Sequence, residues 1–143
     1  MIRFTETIEI AKPLDNVFSF VSNLENTPQW NDDVVKTKKM SPGPIQEGTV
    51  FRQYRDGPAG AGEAVAITSH EPPEQLKLRA RLADSPAQVI YEFDEVDGGT
   101  RVTSGVELEP KGVMRLIAPV VEIRVKHSVA KDLAELKRVL EAA

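Results

Sequence analysis

The sequence predicts an α+β fold: a curved, seven-stranded antiparallel sheet around a long C-terminal helix, with two short helices after the first strand. Three observations carry it. Short segments before Gly112 alternate apolar and polar residues with a period of two. Turns rich in Gly, Pro and Asp separate them closely, so successive strands must pair antiparallel. After Gly112 the spacing becomes helical and stays so to the last residue.

Residues 2–10 open the chain as a half-buried strand, Ile2, Phe4, Ile8 and Ile10 on one face and Glu6 as the odd polar residue among them. Lys12-Pro13 ends it, and Leu14, Val17, Phe18 and Val21 mark one side of a short helix. Asn23 to Asn26 break that helix; Thr27-Pro28 restarts a helical turn as N-cap and first residue, directly before Trp30. Val34 to Lys38 is a strand whose lysines suit an edge. Thr49 to Arg55 follows, its facing open because Phe51 and Tyr54 differ in parity. Asp56 to Gly60 turns into a strand over Glu63–His70, and Glu71-Pro72-Pro73-Glu74 turns again. Leu76, Leu78, Ala80 and Leu82 then alternate with Lys77, Arg79 and Arg81. Val89, Tyr91 and Phe93 face inward on the sixth strand, Asp97-Gly98-Gly99 makes a hairpin turn, and Val102, Ser104, Val106 and Leu108 face inward on the seventh.

The final segment, Val113 to Ala143, supplies the cover for the apolar face of this sheet. At 100° per residue, Val121, Val125, Val129, Leu133, Leu136, Val139 and Leu140 share an arc of about 120°. Pro119 kinks or delays the helix. Glu122 and Asp132 interrupt the stripe, with Ser128 at its edge. A charge facing a dry core is costly unless paired or wetted, so either these acids find partners or the helix faces a cavity there.

Composition narrows the function. With no cysteine there is no disulfide, zinc–cysteine site or thiol nucleophile. A net charge of -4 gives no overall attraction to nucleic acid or an anionic membrane. Neither a signal peptide nor a membrane span is expected, and the protein is read as cytoplasmic. His70 and His127, the only histidines, are read as solvated, so no metal is expected, and no cofactor. Gly57, Gly60 and Gly62 lie between strands without the Gly-Lys-Ser/Thr of a phosphate loop, and no GxSxG elbow occurs.

Several pieces occur in a distinctive order. They are Ile10-Ala11-Lys12-Pro13 with Val17-Phe18, Trp30 after the helical break, Gly48-Thr49 opening a strand, and Glu71-Pro72-Pro73. Gly98-Gly99-Thr100-Arg101-Val102-Thr103 and Leu133…Leu136-Lys137 complete them. In this the chain resembles the polyketide cyclase/dehydrase and lipid-transport superfamily of START-like (SRPBCC) domains. The resemblance spans residues 1–143 as one domain. It implies the helix-grip fold, with a cavity between sheet and C-terminal helix. Members bind lipids, hormones, quinones or polyketides, and some catalyse cyclisation or dehydration.

The expected ligand is therefore a small hydrophobic molecule. Trp30, Phe51, Tyr54, Tyr91 and Phe93 are the aromatic candidates for its pocket, Ser104 a small inward one. Met114, Ile117, Val121 and Glu122 are expected to form the helical wall. For chemistry, Glu122 or Glu6 is the candidate base and Tyr54, Tyr91 or Arg124 the oxyanion partner. The plainer alternatives pair Glu122 with Lys126, wet Glu6 at a strand end and send Asp132 to solvent; Glu122 is the acid on which the functional question rests. A carrier of a small hydrophobic ligand is the leading expectation. A cyclase or dehydratase, and a protein-interaction module working through Arg79 and Arg81, are the alternatives.

Overall fold

The computed structural model describes residues 1–55, 62–82 and 84–143. The turn read at Asp56 to Gly60 lies outside these. Strand β1 (Ile2–Ile10) leads into α1 (Leu14–Ser22) and a 3₁₀ helix (Leu24–Gln29). Six strands follow: β2 (Val34–Lys39), β3 (Val50–Arg55), β4 (Glu63–Glu71), β5 (Gln75–Leu82), β6 (Ser85–Val96) and β7 (Gly99–Leu108). The chain ends in a one-turn helix, α2 (Val113–Leu116), and the long α3 (Ala118–Ala142).

All seven strands join one curved antiparallel sheet in the order β1-β7-β6-β5-β4-β3-β2. The expected α+β helix-grip architecture is the observed one. β1 and β2, adjacent in sequence, form the two edges of the sheet. Only α1 and the 3₁₀ helix connect them. The 3₁₀ helix starts earlier than expected. Asn23 is its N-cap, its side-chain oxygen accepting from the Glu25 amide at 3.2 Å, and Pro28 sits inside it.

The main core joins α1, the sheet and the C-terminal half of α3 through Val17, Phe18, Phe51, Leu76, Phe93 and Leu136. Phe18 meets Phe93 edge to face, with ring centroids 5.1 Å apart. A second, smaller cluster of Ile2, Leu108 and Val121 lies under the start of α3. The far end of α3 is tied to the β1–α1 corner. Glu141 accepts from the Ala11 amide at 2.8 Å, and the Lys137 ammonium donates to the Glu9 carbonyl at 2.7 Å. At this corner Gly99 approaches so closely that a Cβ would lie 2.1 Å from the Ile10 carbonyl oxygen.

Two local features redirect side chains. The helix breaks at Ile117 (φ -115, ψ 21), two residues before Pro119, so α2 and α3 are separate. A register shift between Ile67 and Ser69 in β4 sets His70 opposite Leu76, on the inner face. His70 is therefore half-buried with its ring 5.5 Å from that of Phe18, not solvated as the sequence suggested.

Candidate functional site

Between the two clusters lies a cavity of about 330 Å³, within the range typical of small-molecule sites. Its floor follows from the register. Ala80 stands opposite Ala87, and Ala87 opposite Leu108, so two methyl side chains occupy inner-face positions where larger ones would fill the space. Val89 and Val106 extend the floor, as another pair in register. The roof is the middle of α3, with Val125, Ser128, Val129, Asp132 and Leu133. Leu24 and Trp30, held by the 3₁₀ helix, wall one side.

Trp30 and Tyr91 meet edge to face with ring centroids 6.4 Å apart. The Trp30 indole nitrogen is buried without a hydrogen-bond partner among the described residues. Ser104, directly opposite Tyr91 in the β6–β7 ladder, adds a hydroxyl to the lining. More polar groups come from Asn31 and Asp33 after the 3₁₀ helix, Gln53 and Arg55 at the end of β3, and Arg81 and Arg124 from β5 and α3. Arg55 is paired with Glu63 at 3.0 Å, and Lys131 with Asp32 at 2.9 Å.

Two acids, Asp33 and Asp132, line this cavity, and Asp132 is the one on α3. Burial pushes its carboxyl up to about 7, and the neighbouring carboxylates of Asp33 and Asp32 push the same way; Lys131 and Arg55 oppose them. Near neutral pH it exists in both protonation states, as a proton-transferring group requires. The Tyr91 hydroxyl is pushed far up, by desolvation and then by the Asp132 charge, so it stays protonated and can donate a hydrogen bond.

The expected site residues divide. Trp30, Tyr91 and Ser104 line the cavity. Phe51 and Phe93 do not: they are 0% and 2% exposed within the main core. Tyr54 takes the parity opposite to buried Phe51 and Gln53, hence the outer face, where the Lys36 ammonium stands 6.0 Å from its ring. Glu6 is half-buried on edge strand β1 beside Ser104, outside the cavity lining.

The helical wall lies further along than expected. Met114 and Val121 pack in the smaller cluster, while Ile117 and Glu122 are exposed. Helix geometry explains Glu122. With Val125 at zero and about 100° per residue, Val121 and Ser128 lie on one margin of the apolar arc, Leu133 and Leu140 on the other. The buried side shifts from the first margin to the second as the straight helix crosses a twisted sheet. Glu122 has the angle of Leu140 but sits at the end where the opposite margin is buried. Asp132, near the centre, faces the cavity. The sequence put Glu122 in the helical wall and sent Asp132 to solvent, whereas the structure leaves Glu122 exposed and sets Asp132 in the lining. The significance of Ala80 and Ala87 was missed, although their small size at inward positions was the available signal.

The family described as "Polyketide cyclase / dehydrase and lipid transport" matches residues 1–141. No curated protein matches the sequence. Among solved structures, the chain is similar to TTHA0849 from Thermus thermophilus, with a TM-score of 0.79, 17% identity and 99% of each chain covered. Protein Ms6760 from Mycobacterium smegmatis gives 0.62 at 20% identity, over 99% of this chain and 92% of that one. The di-domain ARO/CYC StfQ from the steffimycin biosynthetic pathway gives 0.76 at 11% identity, over 96% of this chain and 49% of that one. At such identities the likeness is one of fold.

Proposed function

Since the chain belongs to the polyketide cyclase/dehydrase and lipid transport family, we propose that it binds one small, mostly apolar molecule between the sheet and α3. The carrying observation is the cavity itself: about 330 Å³, walled largely by Val, Leu and Ala, with a few polar groups grouped around it. The ligand class that fits is an apolar body bearing a hydrogen-bond acceptor, such as a carbonyl oxygen, for the Tyr91 hydroxyl. Likeness to an ARO/CYC protein of a biosynthetic pathway puts polyketide-like carbonyl compounds beside lipids and quinones among candidates. Native mass spectrometry with such a panel is the test. A one-to-one complex with at least one class is expected; a chain that stays empty throughout counts against the reading.

One observation favours a second reading, an enzyme of the cyclase or dehydratase type: the Asp132 carboxyl, raised to about 7, shares the cavity with Tyr91. The Asp132 carboxylate would take a proton from the carbon beside a carbonyl. The C–H electron pair would pass into the enolate, whose oxygen accepts a hydrogen bond from Tyr91. Attack of the enolate carbon on a second carbonyl closes the ring, and the proton held by Asp132 goes to the new alkoxide. Asp132→Asn is expected to lose turnover of a ligand it still binds. Turnover that persists in the variant removes Asp132 from the chemistry.

A further inference from the structure

Eight large hydrophobic side chains are exposed among the described residues, and five of them fall between 113 and 123: Val113, Leu116, Ile117, Val120 and Ile123. Leu116 is 84% exposed and Ile123 70%. Exposed apolar residues are ordinarily scattered singly, and a concentration of this kind marks a contact surface. Val113 and Leu116 stand three apart on α2, and Val120 and Ile123 three apart on α3, so each of the two helices turns an apolar edge outward. The other side of the stretch, through Met114, Ala118 and Val121, already covers Ile2 and Leu108. The stretch is thus apolar on two sides, only one of which the fold uses.

The charges beside it are predominantly positive. Residues 111–131 hold five cations (Lys111, Arg115, Arg124, Lys126 and Lys131) and one acid, Glu122, in a chain whose net charge is -4. Lys111 and Lys131 are paired with Glu109 and Asp32. Arg115, Arg124 and Lys126 take part in no ion pair among the described residues.

We infer that this α2–α3 face docks on an anionic lipid surface, its apolar stripe entering the headgroup boundary and Arg115 and Lys126 meeting lipid phosphates and carboxylates. An amphipathic, locally basic segment is the form such binding takes. A second copy fits worse, because a two-fold contact would set the same unpaired cations against one another. The docking stands on this surface alone. Its purpose rests on the cavity reading: Arg124 and Val125, next after Ile123, line the cavity, so a docked protein would hold its ligand site beside the lipid.

The test is flotation of the whole chain with vesicles of phosphatidylcholine, alone or with phosphatidylserine, at low and high salt. Binding is expected only with phosphatidylserine, weakening as salt screens the charges. Arg115→Gln and Lys126→Gln should each lower it about fivefold, and Leu116→Asp with Ile123→Asp should abolish it. These side chains are exposed, so thermal melts should be unchanged. No binding at low salt would overturn the inference, as would undiminished binding by the aspartate variant. A vesicle-free dimer that this variant dissolves would also overturn it, in favour of a second copy. Ligand titration without vesicles keeps the two proposals apart: docking without a cavity ligand removes only the cavity reading, and a cavity ligand without docking removes only the surface.

Discussion

Ala80 and Ala87 stand directly opposite each other in the β5–β6 ladder, and this pair of methyl side chains gives the cavity its depth. Ala87→Leu should therefore occupy the space a ligand needs. Affinity is expected to fall at least tenfold by calorimetry. Stability should hold or rise, since filling a void commonly adds about 0.5–2 kcal/mol, whereas overpacking a filled core costs about 1–3 kcal/mol. A clear fall in Tm would mean that the space is already occupied by protein.

Asp132 should make stability depend on pH in an unusual direction. Its carboxyl is raised from 3.8 to about 7, so the folded protein binds more protons than the unfolded chain between those values. Stability from this group is greatest below the window, declines as pH rises through it, and reaches its full cost above about 7. Asp132→Asn should consequently raise Tm by several degrees near about pH 8, and by little near about pH 4. Glu122→Gln, at an exposed position, should shift neither. An equal gain for Asp132→Asn at both pH values would place the carboxylate in water.

The sequence of elements along the chain, and the facing of the strands other than β3 and the end of β4, were legible because each rests on a local pattern. The alternation in residues 76–82 and 102–108, the Asp97-Gly98 turn and the break near Pro119 all appear as expected. Features set by how elements cross were not. The β4 register shift that turns His70 inward leaves no period-two signature. The choice between Glu122 and Asp132 depends on the changing face that α3 presents along the sheet, which a helical wheel averages away. The cavity lies where the sequence reading put it in kind, between sheet and helix, but under Arg124 to Leu133 rather than Met114 to Glu122.

The β1–α1 corner offers a test of backbone packing. Gly99→Ala would put a Cβ 2.1 Å from the Ile10 carbonyl oxygen, a contact that backbone must move to relieve. A loss of about 1–3 kcal/mol or more is expected from chemical denaturation. Gly105→Ala meets nothing nearer than 3.7 Å and should stay within about 1 kcal/mol of the parent. Comparable losses at both positions would show that strand glycine itself, not the close approach, matters.

Acid should loosen the end of α3. The Glu141 carboxylate is held below its ordinary range by the Ala11 amide and then by Lys137. A depressed carboxyl contributes stability above its unfolded value, and that contribution disappears as pH falls through the folded one. Amide exchange in the last turn of α3 should thus quicken in mild acid, beyond the intrinsic change with pH, and Glu141→Gln should show the faster exchange already at neutral pH. Identical protection in parent and variant would make the tie to Ala11 inconsequential.

Trp30, the only tryptophan, borders the space beneath α3 in which an apolar molecule is proposed to bind. Its emission during titration with a ligand identified by mass spectrometry is the most direct measurement. A saturable one-to-one change in the parent, absent in Ala87→Leu, is the predicted result. No saturable change, or the same curve in both proteins, would contradict it.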